Sequence, residues 1–154
     1  MFVEPKPSRQ TSVDHFLDNE HDLGVDTAAY YQAFGARVEG LKKSLMTILA
    51  SLREENKSIA GYGAAAKANT LMSYCGIGDQ HLDFIADKNP FKQGRYMSGN
   101  ALPICDPRKI TETTPDYLLI LAWNFADEII AQQSDFRQKG GKFIIPVPEP
   151  HIVS

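Results

Sequence analysis

The chain has 154 residues, 43% of them hydrophobic and 23% charged, and a formal net charge of −3 at pH 7. That length supports a hydrophobic core in one domain, and the slightly acidic balance excludes a broad electrostatic grip on nucleic acid or anionic lipid. No apolar run approaches the roughly 20 residues of a membrane span and no signal-peptide pattern opens the chain, so a cytoplasmic protein is expected, and any anion site must be local.

Residues 1–26 carry two early prolines and then mixed polar and charged residues, and read as a linker or extended arm. From Asp26 the pattern changes, and a single domain is expected over 27–154. Phe34, Val38, Leu41, Leu45, Ile48 and Leu52 recur at alternating steps of four and three residues. They form one apolar stripe on a helix of roughly seven turns, with Asp26 or Thr27 as its cap. Arg37, Glu39, Lys42, Lys43 and Arg53 fall away from that stripe. Fewer than four heptads favour a packed surface helix over a coiled-coil seam.

After residue 57 the rhythm becomes strand–helix alternation. Ile59–Tyr62 reads as a strand, 64–75 as a helix stopped by Gly76, and 81–87 as a second strand ending at Asp87. Residues 89–100 form a loop of turn formers and cations. Residues 101–106 read as a third strand, and 107–113 as a short helix with proline at its first position. The most apolar run, 116–123, suits a central parallel strand covered on both faces. A helix with Asp127 and Glu128 in its first turn runs to Gly140–Gly141, and 142–148 is the last strand. This order predicts an α/β fold: a Rossmann-like open parallel sheet of about five strands with an additional long N-terminal helix.

Cys75 and Cys105 stand 30 positions apart with no C-x-x-C pair, and the four histidines are scattered. Two buried, reduced thiols and no metal site are therefore expected.

Gly61, Gly63 and Ala66 satisfy the relaxed G-x-G-x-x-G/A pattern between a strand and a helix. Gly61 allows the tight turn, Gly63 the approach of a ligand to backbone, and Ala66 close helix packing. The amides of Ala64–Lys67 are expected to point outward and favour an anion, with Lys67 adding a full charge. Asp87 lies 21 positions after Ala66, where dinucleotide sites hold a ribose. The alternative is purely structural: the turn packs helix on strand, and Asp87 caps the next turn. Lys88, Lys92 and Arg95 gather within eight residues and suit a diphosphate, or else form a solvated loop. Trp123 can stack on a base or line the core, and Asn124 is either a ligand contact or the cap of the helix after it.

Four stretches, GYGAAAKANTLMSYCGIG, FIADKNPFKQGRYMSGNALPI, PDYLLILAWNFADEI and GGKFIIPVPEP, resemble in this order the C-terminal domain of S-adenosylmethionine-dependent sugar C-methyltransferases. The resemblance spans roughly residues 25–150. It implies a domain that holds a nucleoside diphosphate sugar against the central methyltransferase domain of the same enzyme. The positions it carries over are Gly61, Tyr62, Gly63, Ala64, Lys67, Asp87, Lys88, Asn89, Lys92, Arg95, Trp123 and Asn124. Proton abstraction beside the sugar ketone, zinc and the methyl donor are expected in domains outside this chain, which itself is expected to contain no catalytic residue and to be inactive alone. The family often has glycine where this chain has Ala68. Two other readings of the same residues are an NAD(P)-binding oxidoreductase module, for which Asp87 would select NAD, and a non-catalytic interaction domain docking through the striped helix.

Overall fold

The computed structural model describes residues 11–154, so the first ten residues of the expected arm lie outside it. The chain divides into two compact units, one ending at Glu39 and one running from Gly40 to Ser154. In the first, residues 11–22 form a helix, α1 (Thr11–Asp22), where the sequence reads as an irregular arm. Its apolar positions Val13, Phe16 and Leu17 are exposed. Interleaved with Asp14, Asp18, Glu20 and Asp22, they make too short a stripe to stand out. In the turn that follows, His21 Nδ1 lies 2.9 Å from Asp26 Oδ2. The Thr27 hydroxyl accepts the Tyr30 amide at 3.3 Å. Of the two expected caps, Thr27 therefore starts α2 (Ala28–Glu54), while Asp26 holds the histidine.

Helix α2 is 27 residues long, close to the expected seven turns. Leu45, Leu49 and Leu52 are buried, with Leu41, Met46 and Ile48 packed beside them. The stripe therefore holds over the C-terminal half, with Leu49 rather than Ile48 at its centre. Phe34 at the other end keeps 53% of its surface exposed. Two cations expected off the stripe make specific bonds. Lys42 Nζ donates to the Tyr74 carbonyl at 2.8 Å, and Arg53 donates to the His81 and Lys57 carbonyls and to Asp83 Oδ1.

The second unit carries a six-stranded sheet in the order β3-β2-β1-β4-β5-β6. The strands are β1 (Ile59–Tyr62), β2 (Ile85–Ala86), β3 (Ile104–Cys105), β4 (Tyr117–Ile120), β5 (Lys142–Ile145) and β6 (His151–Val153). The first five are parallel, and β6 runs antiparallel to β5 as a sixth strand the sequence reading lacks. Alternation along the strands builds a core on each face. Ile59, Tyr117, Leu119 and Ile144 join the leucines of α2 and the apolar side of α3 (Ala66–Cys75). Ala60, Tyr62, Leu118, Ile120 and Phe143 pack on the other face, against α4 (Arg108–Thr113), α5 (Ala126–Gln132) and α6 (Ser134–Gln138). The expected single helix after β4 is thus two helices, broken at Gln133.

Strands β2 and β3 are shorter than expected, and the 89–100 loop folds back along the outer edge of β3. The Gly94 amide donates to Ile104 O, Ile104 N to Arg95 O, and Met97 N to Leu102 O, at 2.8–2.9 Å. Tyr96 bridges Pro103 in antiparallel sense, and Met97 enters the core. An edge that would otherwise stand open is covered by this hairpin. Among the described residues no helix is long and apolar enough to cross a membrane. Cys75 is buried and Cys105 half-buried, both as free thiols. Burial raises the pKa of the Cys75 thiol.

Candidate functional site

The strand order reverses between β1 and β4, where β1 pairs with β2 on one side and β4 on the other. At such a switch point the loops leaving the carboxyl ends of the strands diverge and leave a crevice. The β1–α3 turn and the segment after β4 meet there.

Both glycines of the turn are required by packing. A Cβ on Gly61 would stand 2.9 Å from Leu121 Cδ1 and 3.1 Å from Ile85 Cγ1, so this glycine makes room for core side chains. Gly63 has φ +96°, and a Cβ there would fall 2.7 Å from the Ala122 Cβ. The space beside Gly63 is thus filled by the chain leaving β4. Tyr62 points into the second core at 4% exposure, so only its backbone belongs to the edge. Its phenol oxygen is buried, and burial raises its pKa above the ordinary value against the opposing effect of the nearby Gln133 side chain.

Asp87, 8% exposed, is the buried charged side chain of the described residues. Its Oδ2 accepts the Ala64 amide at 2.7 Å and Lys92 Nζ at 3.2 Å, and its Oδ1 accepts the Asn89 amide at 2.8 Å. Lys92 Nζ also donates to the Ala64 carbonyl at 2.8 Å. The Ala64 peptide is therefore pinned through both its N–H and its C=O. The carboxylate is bonded as the strand-end cap alternative has it, and a ribose hydroxyl would compete with three protein donors. Asn89 continues the turn by accepting the Phe91 amide at 3.0 Å.

These bonds correct the expectation of four outward amides. Ala64 donates to Asp87, and Ala65 donates to Gly63 O at 2.9 Å. Only the Ala66 and Lys67 amides, at the start of α3, lack an acceptor among the described residues. The helix cap, Ala65, supplies no side-chain bond.

Lys67 takes a different position from Lys92. Its Nζ stands 4.8 Å from the centroid of the Trp123 ring and 5.7 Å from that of Phe125. A cation in the first turn of a helix opposes the macrodipole by about 0.3–1 kcal/mol, and the contact with two π faces, worth a similar amount, offsets this. Trp123 is half-buried against the first core, while Phe125 keeps 59% exposure. Phe125 is not among the residues expected from the sequence. The signal was present in WNF, an aromatic two residues beyond Trp123 at the end of the central strand.

The remaining expected residues divide. Lys88 reaches away to donate to Gln132 Oε1 on α5. Arg95 lies on the hairpin beside β3 and is exposed. Asn124 is exposed in a 3-10 turn (Trp123–Phe125); Phe125 occupies the cap position of α5 and no side chain bonds there, so Asn124 is not that cap. The structure thus brings together Ala64, Asp87, Asn89 and Lys92 in one clip and Lys67 with Trp123 in one stack. It draws Lys88 away.

An open, mostly parallel sheet in this order, with a glycine turn leading from β1 into α3, defines a Rossmann-like α/β domain. Residues 2–148 match the family described as C-methyltransferase C-terminal domain, and the chain belongs to that family. The match reaches back through α1, further than the motifs of the sequence suggest. The chain is also 36% identical over 143 residues to C-methyltransferase NovU of Streptomyces niveus, covering 93% of this chain and 34% of that relative. It thus spans about a third of the relative's length.

Proposed function

We propose that this domain holds a nucleoside diphosphate sugar for methylation at carbon, with the chemistry carried out by other parts of an enzyme of which it is one piece. The observation that carries this reading is the juxtaposition of Lys67, two unpaired amides and an aromatic face at the switch point of the sheet. A diphosphate needs cations and N–H donors matched to its oxygens, and a nucleobase needs a π face. Binding energy from these remote groups orients the reacting carbon. S-adenosylmethionine, zinc and the base that removes a proton beside the sugar ketone belong, on this reading, to a central methyltransferase domain and a small zinc domain. Among the remaining expected contacts, Arg95 and Asn124 are free of the internal bonds that hold Asp87, Asn89 and Lys92.

Calorimetric titration of the chain with TDP, a TDP-linked sugar, NAD and S-adenosylmethionine tests the proposal. Heat with the two TDP compounds alone is the expected result. Binding of NAD alone would overturn it in favour of an oxidoreductase module.

A further inference from the structure

One ring at this edge of the sheet is asked to do two things. Trp123 is the surface on which a base would stack, yet Lys67 Nζ stands 4.8 Å from its centroid. An ammonium and a base cannot occupy the same face of the indole. The lysine has somewhere else to go, because the unpaired Ala66 and Lys67 amides lie at the head of the helix that carries it. A phosphate oxygen drawn there by those donors offers the ammonium a charge-assisted bond, roughly twice as strong as a neutral one. That exceeds the attraction of a solvent-accessible cation–π contact.

We propose that Lys67 is a ligand-displaced cover on Trp123: a diphosphate at the first turn of α3 draws the ammonium off the indole, opening that face to the base of the same ligand. The inference rests on the nucleotide reading above and deepens it. Selectivity follows from it. A ligand with a base but no phosphate has to push the lysine aside uncompensated, and only one that carries both halves gains from both groups. Phosphate and base thus favour each other's binding, and by linkage each raises the affinity of the other by the same factor.

The test uses the full chain with thymidine, inorganic pyrophosphate and TDP as probes. The single tryptophan supplies one indole N–H resonance as a local reporter. Replacing Lys67 by alanine should shift the two half-ligands in opposite directions. Pyrophosphate should bind about tenfold or more weakly, as expected for a lost charge-assisted bond. Thymidine should bind about two- to fivefold more tightly, because its stacking face is uncovered. Lys67→Arg, which keeps a cation over the ring, should stay near wild type for both probes. Saturating pyrophosphate should tighten thymidine in wild type and leave its affinity unchanged in Lys67→Ala.

If TDP binds wild type but Lys67→Ala leaves thymidine affinity unchanged or lowers it, the cover is wrong while the nucleotide reading stands. If TDP and pyrophosphate both fail to bind wild type, the nucleotide reading fails and takes the cover with it.

Discussion

Asp87 and Lys67 flank one short turn at the carboxyl end of the sheet, and they differ in what holds them. Asp87 is buried and accepts from Ala64, Asn89 and Lys92. Lys67 is half-buried, and among the described residues its ammonium stands over the faces of Trp123 and Phe125 without a hydrogen-bond or ion-pair partner. The difference separates two meanings of a charged residue beside a glycine turn. A group whose hydrogen-bonding capacity is taken up inside the protein fixes the shape of the turn. A group resting on weak, reversible contacts remains available to a ligand. Lys92, pinned to Asp87 and to the Ala64 carbonyl, belongs with the first kind although its charge matches the second.

The comparison breaks most easily on the shape side. In Gly63→Ala the new methyl meets the Ala122 Cβ at 2.7 Å with the backbone at φ +96°. Left-handed strain and overpacking together should lower stability by about 2–4 kcal/mol, read from urea denaturation. A loss below about 1 kcal/mol would mean that the two strand ends separate freely and that the glycine is there for something else. Asp87→Ala should come next, at about 2–3 kcal/mol, because it strands a buried amide and leaves Lys92 without its partner. Asp87→Asn, which keeps an acceptor for Ala64, should recover part of that loss.

On the other side of the turn the signs separate. Lys67→Ala should change stability by less than about 1 kcal/mol, since the lost cation–π contact is balanced by relief at the helix head. The same change should weaken TDP by about 1.5–3 kcal/mol in calorimetry. A variant that loses stability and affinity in parallel would place Lys67 with Asp87, as part of the turn's frame.

The β1 strand, the turn, α3 and the apolar β4 are legible because apolar runs and Gly–Ala punctuation are local signals. So is α2, whose stripe repeats over many turns. What stays hidden is the bonding of Asp87. Spacing places an acid at the strand end, but nothing in a linear pattern says that Lys92 returns five residues later to pin both the acid and Ala64. Helix α1 is masked by its acids, and β6 is three residues long and follows Pro148 and Pro150 closely. The break at Gln133 carries neither glycine nor proline to announce it. Burial of Tyr62 follows from the period-two alternation of β1, which puts it on the face opposite Gly61.

A second strand-end acid sharpens the comparison with the smallest effect. Asp116 joins the start of β4 to the start of β1. Its Oδ2 accepts the Ser58 amide and hydroxyl, both at 2.8 Å, while its own amide donates to Ser58 Oγ at 2.9 Å. Like Asp87 it holds a backbone amide, but it is exposed. The bond from the Ser58 amide is the main reason its carboxyl pKa lies below the ordinary value, with burial opposing the shift. A depressed folded pKa means that the unfolded chain takes up the proton first as pH falls. The stabilisation is therefore present above the unfolded carboxylate's pKa of about 3.9 and fades as pH drops through the folded value. Asp116→Asn should lose about 0.5–1 kcal/mol at pH 7, reduced by solvent screening. Its denaturation midpoint should converge with that of wild type below about pH 3.9. A gap that persists unchanged to pH 3 would show that the geometry of the Ser58 bonds, and not the charge, holds the two strand starts together. Burial would then cease to explain why Asp87 should matter more than Asp116.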